Sequence, residues 1–386
     1  MSINKEHLPN WRDLGTLLIF QSDDFTYKQH VLITDFENCL VKPIKASIYS
    51  KTYVYGTEYA VTIEYSDKAL VQRISDAQTH NLVIITHCFV GGKLVIDRLK
   101  HKIEAFAASY CKPIIVLVIL SPNRLSKPHT GSWLLLQGYY KKFGKQIIKS
   151  VTVISCHGGV NGASDMDRAY AHNIGANFYT IHEFMDPSKK EKFQWNNLVL
   201  VPEVRQECLD KLSKYNNPNI LDVVARTGIH DIYIIAIYGA PRSGKSTLAR
   251  FIAAEWKKCE FFCGKKLMIV DTSYGPKRRV NVVKKYMDDY MSILLDGNMH
   301  IEAIRKTYEE IAKQKQIPIV YIEVNPSIGV SYLLNHVAVE TAKNEEKKLV
   351  PINDYIQYKS KQTRPKNVLL YCPVIRPTKQ FMDYRY

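Results

Sequence analysis

Paired cysteines, a long apolar run and a leader-like start are all missing from this sequence. Its 386 residues hold eight Cys (Cys39, Cys88, Cys111, Cys156, Cys208, Cys259, Cys263 and Cys372) with no CxxC spacing. That excludes a small disulfide-stapled secreted scaffold and points to reduced thiols inside a cell. Cys259 and Cys263 stand four apart, and Cys156 adjoins His157, but neither pair has the further ligands that a zinc site needs. No apolar run approaches the roughly 20 residues of a membrane helix. The opening "MSINKEHLPNWRDLG" has no basic start leading into an apolar core, so no signal peptide is expected. Internal repeats and low-complexity tracts are absent as well. A soluble protein of the cytoplasm or nucleus is the expectation.

Acidic residues are the scarcer charged class. Asp plus Glu number 37 against 53 Lys plus Arg, a formal net charge of +16. Such a balance favours an anionic partner, nucleic acid first. Hydrophobic residues make up 46%, enough for a substantial core, and the length suits two domains.

Short apolar runs recur along the chain: "HVLITDF", "NLVIITH", "PIIVLVIL", "SVTVISCH", "DIYIIAIYG", "KLMIVD" and "IPIVYIEVN". Between several of them lie stretches with apolar residues every three or four positions, such as "SDKALVQRISDAQ", "VIDRLKHKIEAFAASY" and "HIEAIRKTYEEIAKQ". Alternating strand and helix predict an α/β fold with parallel sheets covered on both faces. From about 186 to 230 the chain is polar, carries Pro187, Pro202 and Pro218, and loses this alternation, so it reads as a connection between two α/β units.

The strongest local signal is "GAPRSGKST": Gly239, Ala240, Pro241, Arg242, Ser243, Gly244, Lys245, Ser246 and Thr247. It fits G-x-x-x-x-G-K-[ST], follows an apolar run and opens an amphipathic stretch, which is the strand, loop and helix context of an ATP phosphate loop. Backbone N–H groups close on the phosphates, Lys245 reaches the outer ones, and the Ser246 hydroxyl can hold Mg²⁺. A kinase also needs a carboxylate to take a hydroxyl proton, and Asp271, closing "KKLMIVD", stands at a neighbouring strand end. Lys277, Arg278 and Arg279 then offer charge for polymer phosphates or form a solvated basic loop. Asp296 and Asn298 in "LLDGN" hydrogen-bond near the phosphate loop or cap the next helix. In the N-terminal half, Asp35 and Glu37 in "ITDFENCLV" form a carboxylate pair at a strand end.

Taken in order, these segments resemble the bifunctional polynucleotide kinase/3′-phosphatase family over nearly the whole chain. "WRDLGTLLIF" is similar to the start of its phosphatase domain, and "TDFENCLV" lies where that domain has Asp-x-Asp-Gly-Thr. "IITHCFVGGKL" is similar to the second motif, with Thr86 as the phosphate-binding hydroxyl. "SKPHTGSW" is similar to the third, with Lys127 as the phosphate-holding cation and Thr130, Gly131 and Trp133 after it. "SDMDRAYAHNIGANFYTIHEF" resembles the fourth motif with its succeeding helix and strand; "VDTSYG", "LDGN" and "LVPINDYIQY" recur in kinase order. The resemblance implies a haloacid-dehalogenase-like 3′-phosphatase domain over 1–186, a linker over 187–230 and a P-loop polynucleotide kinase domain over 231–386. It implies ATP and Mg²⁺ as cofactors, nucleic acid ends (DNA or RNA) as partner, an aspartyl-phosphate on Asp35, and transfer of the ATP γ-phosphate to a 5′-hydroxyl. No forkhead-type domain is expected, because the resemblance begins near Trp11. A compact, eroded repair enzyme of this kind would suit a large DNA virus.

Several positions depart from the family. Glu37 replaces the Asp that acts as general acid and base, Cys39 replaces Thr, and Cys156 with His157 stands where the family has its Mg²⁺-binding Asp. Neither thiolate nor imidazole suits Mg²⁺, so Asp165 or Asp167 would have to rescue the metal beside Asp35. In the kinase half, "LLNHVAVETAKNEEKKLVP" lacks the family's lid arginine and offers Lys343, Lys347 and Lys348 instead, which cannot make a forked contact. The leading expectation is a 5′-hydroxyl kinase with a weak or inactive phosphatase. The alternatives are a non-catalytic nucleic-acid-binding or structural protein on this scaffold, and a fully active bifunctional enzyme.

Overall fold

A computed structural model describes residues 10–43, 63–77, 79–89, 92–156, 158–160, 164–193, 219–228, 230–297, 299–326, 328–342 and 347–371. They divide into two compact units. The first takes the described residues through 193 together with Ala338–Leu349; the second takes 219 to Val337 and the chain from Val350. Both are α/β. Much of the polar connection, along with His157, Asn298 and Lys343, lies outside the described residues.

The first unit is built on a seven-stranded sheet in the order β1-β2-β5-β4-β3-β6-β7. Its strands are β1 (Trp11–Asp13), β2 (Leu17–Gln21), β3 (His30–Thr34), β4 (His80–His87), β5 (Ile114–Ile119), β6 (Ser150–Ser155) and β7 (Asn177–Thr180). The five strands from β5 to β7 in that order run parallel. β1 and β2 form an antiparallel hairpin that adds to the edge of β5, so the sheet is mostly parallel with an antiparallel edge. The hairpin follows from the short connection at Gly15, whose φ of +79° is open to glycine, since a parallel return would need a far longer crossover.

Strand alternation places a core on each face. Leu82 and Ile84 of β4, with Ile114, Val116 and Val118 of β5, pack with α1 (Lys68–Asp76) and α2 (Lys93–Tyr110). Val83, Ile85, Ile115, Leu117 and Ile119 face the opposite way, against Trp133 and Leu136 of α3 (Gly131–Tyr139) and Tyr170 of α4 (Met166–Ile174). Burial on both faces explains why these strands read as unbroken apolar runs. Asp67 starts α1 by accepting from the backbone N–H groups of Ala69 and Leu70, and Thr180 with Glu183 forms a capping box on α5 (Ile181–Met185).

The second unit holds a five-stranded sheet, entirely parallel, in the order β12-β11-β8-β10-β9. Its strands are β8 (Ile234–Gly239), β9 (Lys266–Val270), β10 (Met291–Asp296), β11 (Ile319–Val324) and β12 (Val368–Tyr371). Its helices are α6 (Ile220–Ala225), α7 (Lys245–Trp256), α8 (Pro276–Asp288), α9 (Glu302–Lys315), α10 (Ile328–Glu340, in this unit through Val337) and α11 (Ile352–Lys361). Ile235 and Ile237 of β8 pack on Leu248, Ile252 and Trp256 of α7. Ile234, Ala236 and Tyr238 pack on Val283 and Met287 of α8 and on Tyr308 and Ile311 of α9. Parallel strands end on one edge of each sheet, and the loops at that edge carry the sites.

Candidate functional site

In the first unit, Asp35 follows β3, Thr86 is buried near the end of β4, Lys127 lies in the loop after β5, and Cys156 follows β6. Three of the expected groups meet directly. The Lys127 ammonium is 3.1 Å from Asp35 Oδ2 and 2.5 Å from Asp167 Oδ1. Burial opposes its charge, but Asp167 and Asp35 outweigh that and hold its pKa above the usual lysine range. Asp35 Oδ1 accepts from Phe36 N–H at 3.0 Å, and Asp167 Oδ2 accepts from the Ser155 hydroxyl. His87, which no motif argument singled out, accepts the Lys127 backbone N–H on Nε2 at 3.1 Å. Burial, then the Lys127 charge, depress its pKa to about 3, so the ring is a neutral acceptor that orients the Lys127 loop.

The other expected phosphatase groups do not join this cluster. Glu37 Oε1 is bound at 2.9 Å by Lys102, a buried lysine of α2 that also donates to the Lys42 carbonyl. Its extra methylene carries the carboxylate to α2. Cys39 lies buried with its sulfur 3.3 Å from that of Cys156, and it also accepts the Cys156 backbone N–H. The hydrogen bond with Cys156, then burial and Asp35, push the Cys39 thiol well above its usual range.

The metal set expected from Asp35, Asp165 and Asp167 is corrected by this arrangement. Among the described residues, no three His, Cys, Asp or Glu side chains are placed to hold a metal ion. Asp167 is already committed to Lys127 and Ser155, Asp165 is fully buried at the start of α4, and thiols stand where a hard cation wants oxygen. These residues do not fit Mg²⁺.

In the second unit, β8 delivers Gly239 against β11: a Cβ there would lie 2.3 Å from the Val324 carbonyl oxygen. Only glycine permits that approach. Gly244, at φ +102°, opens α7 in a backbone region that side chains avoid. Lys245 Nζ donates to the carbonyls of Gly239 and Ala240 at 3.0 and 2.7 Å. Burial lowers its pKa to about 8, against the opposing pull of Asp296. Ser246 Oγ donates to Asp296 Oδ2 at 2.6 Å, across 50 residues of sequence. This hydroxyl and carboxylate are the hard oxygen donors that suit Mg²⁺ beside phosphates. Asp296 therefore takes the phosphate-loop role among the two left open in the sequence, and the spacing of a carboxylate at the end of an apolar run was the signal for it.

A cavity of about 500 Å³ opens beside this pair, lined by Gly239, Pro241, Lys245, Ser246, Thr272, Asp296, Gly297, His300, Ile301, Asp354, Gln357, Tyr358 and Lys361. Asp271 follows β9, adjacent to the lining Thr272. Its Oδ1 accepts from the Ser273 hydroxyl and from Ser273 N–H at 2.9 Å. Those bonds, with Arg279 a smaller contributor, lower its pKa. Lys277 and Arg278 are exposed on the first turn of α8, with the Arg278 guanidinium 5.6 Å from the Tyr274 ring centre. Arg279 is a correction: it is buried, turned by helical geometry toward the core face, close to Gly297. It cannot meet polymer phosphates from there and instead braces the loops holding Asp271 and Asp296.

No curated protein sequence matches the chain. Three solved structures resemble it in part. They are the crystal structure of Chaetomium thermophilum Kti12 in complex with ADP-AlF3 (15% identity, 36% of this chain and 88% of that one, TM-score 0.30), the crystal structure of APE1195 (17%, 36% and 83%, 0.24) and the hexameric APS kinase from Thiobacillus denitrificans (12%, 86% and 65%, 0.20). The family model described as polynucleotide kinase 3 phosphatase matches residues 30–185, the stretch that runs from β3 through α5 and carries Asp35, Thr86, Lys127 and Asp167. Over residues 30–185 the chain is therefore similar to the polynucleotide kinase 3 phosphatase family.

Proposed function

We propose that the chain is an ATP-dependent polynucleotide 5′-hydroxyl kinase whose haloacid-dehalogenase-like N-terminal domain is weak or inactive as a 3′-phosphatase. The observation that carries the kinase reading is the 2.6 Å contact between Ser246 and Asp296 beside Lys245, in a cavity bordered by the Asp271 loop. Lys245 leaves the loop carbonyls to hold the outer phosphates, and the N–H groups of 242–247 enclose them. Mg²⁺, held by Ser246 and Asp296, would neutralise charge on the phosphates. Asp271 accepts the proton of the attacking 5′-hydroxyl on a carboxylate already ionised at neutral pH. Lys277 and Arg278 supply positive charge for the nucleic acid backbone.

The phosphatase half supports the opposite assignment. Asp35 retains the position of a nucleophile, but its charge is neutralised by Lys127 in a site where, among the described residues, no third metal ligand is placed, and Glu37 is drawn off to Lys102. Misplacing such a group by on the order of 1 Å costs about a hundredfold in rate. An Asp271→Asn variant tests the kinase reading. ATP affinity should hold within about twofold while transfer to a 5′-hydroxyl oligonucleotide falls by roughly 10² or more. Equal transfer by the variant and the wild type would remove Asp271 from the mechanism.

A further inference from the structure

The cavity beside the phosphate loop is bounded by two kinds of element. On one side are the loop residues Gly239, Pro241, Lys245 and Ser246; on another are Asp354, Gln357, Tyr358 and Lys361 of α11. The α11 residues are spaced three, four and seven apart from Asp354, so they form one face of the helix. Asp354 and Lys361 are separated by about two turns, roughly 10 Å along the axis, so this face is polarised, with its cation in the last turn. Of the described residues lining the cavity, Lys245 and Lys361 are the two whose side chains are cationic at neutral pH.

The segment just after Lys361 sets its position. Gln362 donates to Glu323 Oε1 at 2.6 Å and Arg364 Nε to Oε2 at 2.8 Å, on a glutamate that is buried at β11. Thr363 N–H donates to the His300 carbonyl at 2.9 Å, and Arg305 Nη1 donates to the carbonyls of both Thr363 and Met299 at 2.8 Å. The His300 ring lies 4.7 Å from the Tyr358 ring. Thus the C-terminal end of α11 is fastened to β11 and to the loop after β10, whose Gly297, His300 and Ile301 line the cavity. Its burial, with Lys245, Arg305 and Lys361 nearby, lowers the His300 pKa to about 4, so His300 adds no charge there.

We propose that Lys361 is the second side-chain cation of the phosphoryl-transfer site, binding the outer oxygens of the phosphoryl group as it leaves ADP. This deepens the kinase reading above. In flight the phosphoryl group spreads its charge over three oxygens, and catalysis rests on cations placed around them. Lys245 and the Ser246–Asp296 end account for one part of that shell. The competing cation is Arg242, which the loop holds at φ +59° with its Nε 3.4 Å from Asn335 Oδ1. Arg242 is absent from the cavity lining.

The test compares Lys361→Ala, Lys361→Arg, Arg242→Ala and the wild type in two arms. Lys361 is exposed at a helix end, so its replacement should leave folding intact, which thermal melting checks. The first arm measures binding of ADP alone and of ADP with aluminium fluoride, which stands in for the phosphoryl group in flight. Lys361→Ala should weaken the fluoride complex at least about tenfold while changing ADP affinity less than about twofold, and Lys361→Arg should restore it. The second arm measures transfer, where kcat should fall on the order of 10³ with little change in the KM for ATP. An unchanged fluoride complex in Lys361→Ala, or a loss confined to Arg242→Ala, would overturn the assignment. The binding arm involves no nucleic acid, so a wild type that binds the fluoride complex through Lys361 but transfers nothing to oligonucleotides would refute the polynucleotide acceptor and leave Lys361 in place.

Discussion

Raising the pH from 7 to 9 should weaken ATP binding by about tenfold, because Lys245 loses its charge in the free protein. Burial brings its pKa down to about 8, from about 10.4 for an ordinary lysine. Phosphates bind the ammonium form and hold the proton on it, so deprotonation must be reversed before binding. About nine-tenths of the free protein carries the charge at pH 7 and about one-tenth at pH 9, and apparent affinity scales with that fraction. The change is about 1.4 kcal/mol. The sign is fixed: affinity falls as pH rises through 8. Calorimetric titration of ATP at constant Mg²⁺ and ionic strength from pH 7 to 9 reads it directly. Lys245→Arg should show a flat profile over that range whatever its absolute affinity, since a guanidinium stays charged. Equal affinity of the wild type at pH 7 and pH 9 would refute both the buried ammonium and its role on the phosphates.

The other predictions concern the two halves separately. Wild-type protein should release phosphate from a 3′-phosphorylated oligonucleotide at a rate near background, and Cys39→Thr with Cys156→Asp should raise Mg²⁺-dependent release at least about tenfold, as an oxygen ligand returns beside Asp35; a rapid wild-type phosphatase abolished in Asp35→Asn would contradict this. His87 should make the fold acid-sensitive: unfolded His87 takes up a proton below pH 6.5, whereas the folded ring resists until about pH 3. Stability is therefore present above pH 6.5 and lost as pH falls, by on the order of 2 to 3 kcal/mol between pH 6 and 4. Urea unfolding at both pH values should show that loss reduced by a similar amount in His87→Gln. Gly239→Ala should destabilise the second unit by on the order of 2 to 4 kcal/mol, because its Cβ would meet the Val324 carbonyl oxygen at 2.3 Å; a melting temperature equal to wild type would refute that close approach.

What the sequence revealed was mostly local. The inner strands of both sheets are buried on both faces and stand out as apolar runs, and the phosphate loop is legible because its chemistry lies within nine consecutive residues. The β1–β2 hairpin was missed because a short, partly buried edge strand such as Trp11–Asp13 has no such signature. Long-range pairings were the least legible. Ser246 with Asp296, Lys127 with Asp35 and Asp167, and Glu37 with Lys102 each join residues brought together only by the register of neighbouring strands and helices. Arg279 shows another limit: the run Lys277, Arg278 and Arg279 looks uniformly basic, yet helix geometry turns its third member inward. Lys361 carried no motif at all, and became visible through the cavity that it lines.

The most direct measurement of the central claim is transfer of label from γ-labelled ATP to 5′-hydroxyl DNA and RNA oligonucleotides, with Lys245→Ala and Asp271→Ala alongside. Label at the 5′ end of at least one polymer, lost in both variants, is the predicted result. Intact ATP binding with no label on either polymer would contradict the claim, and nucleic acid binding that weakens with salt but ignores ATP would then favour a non-catalytic role for the scaffold.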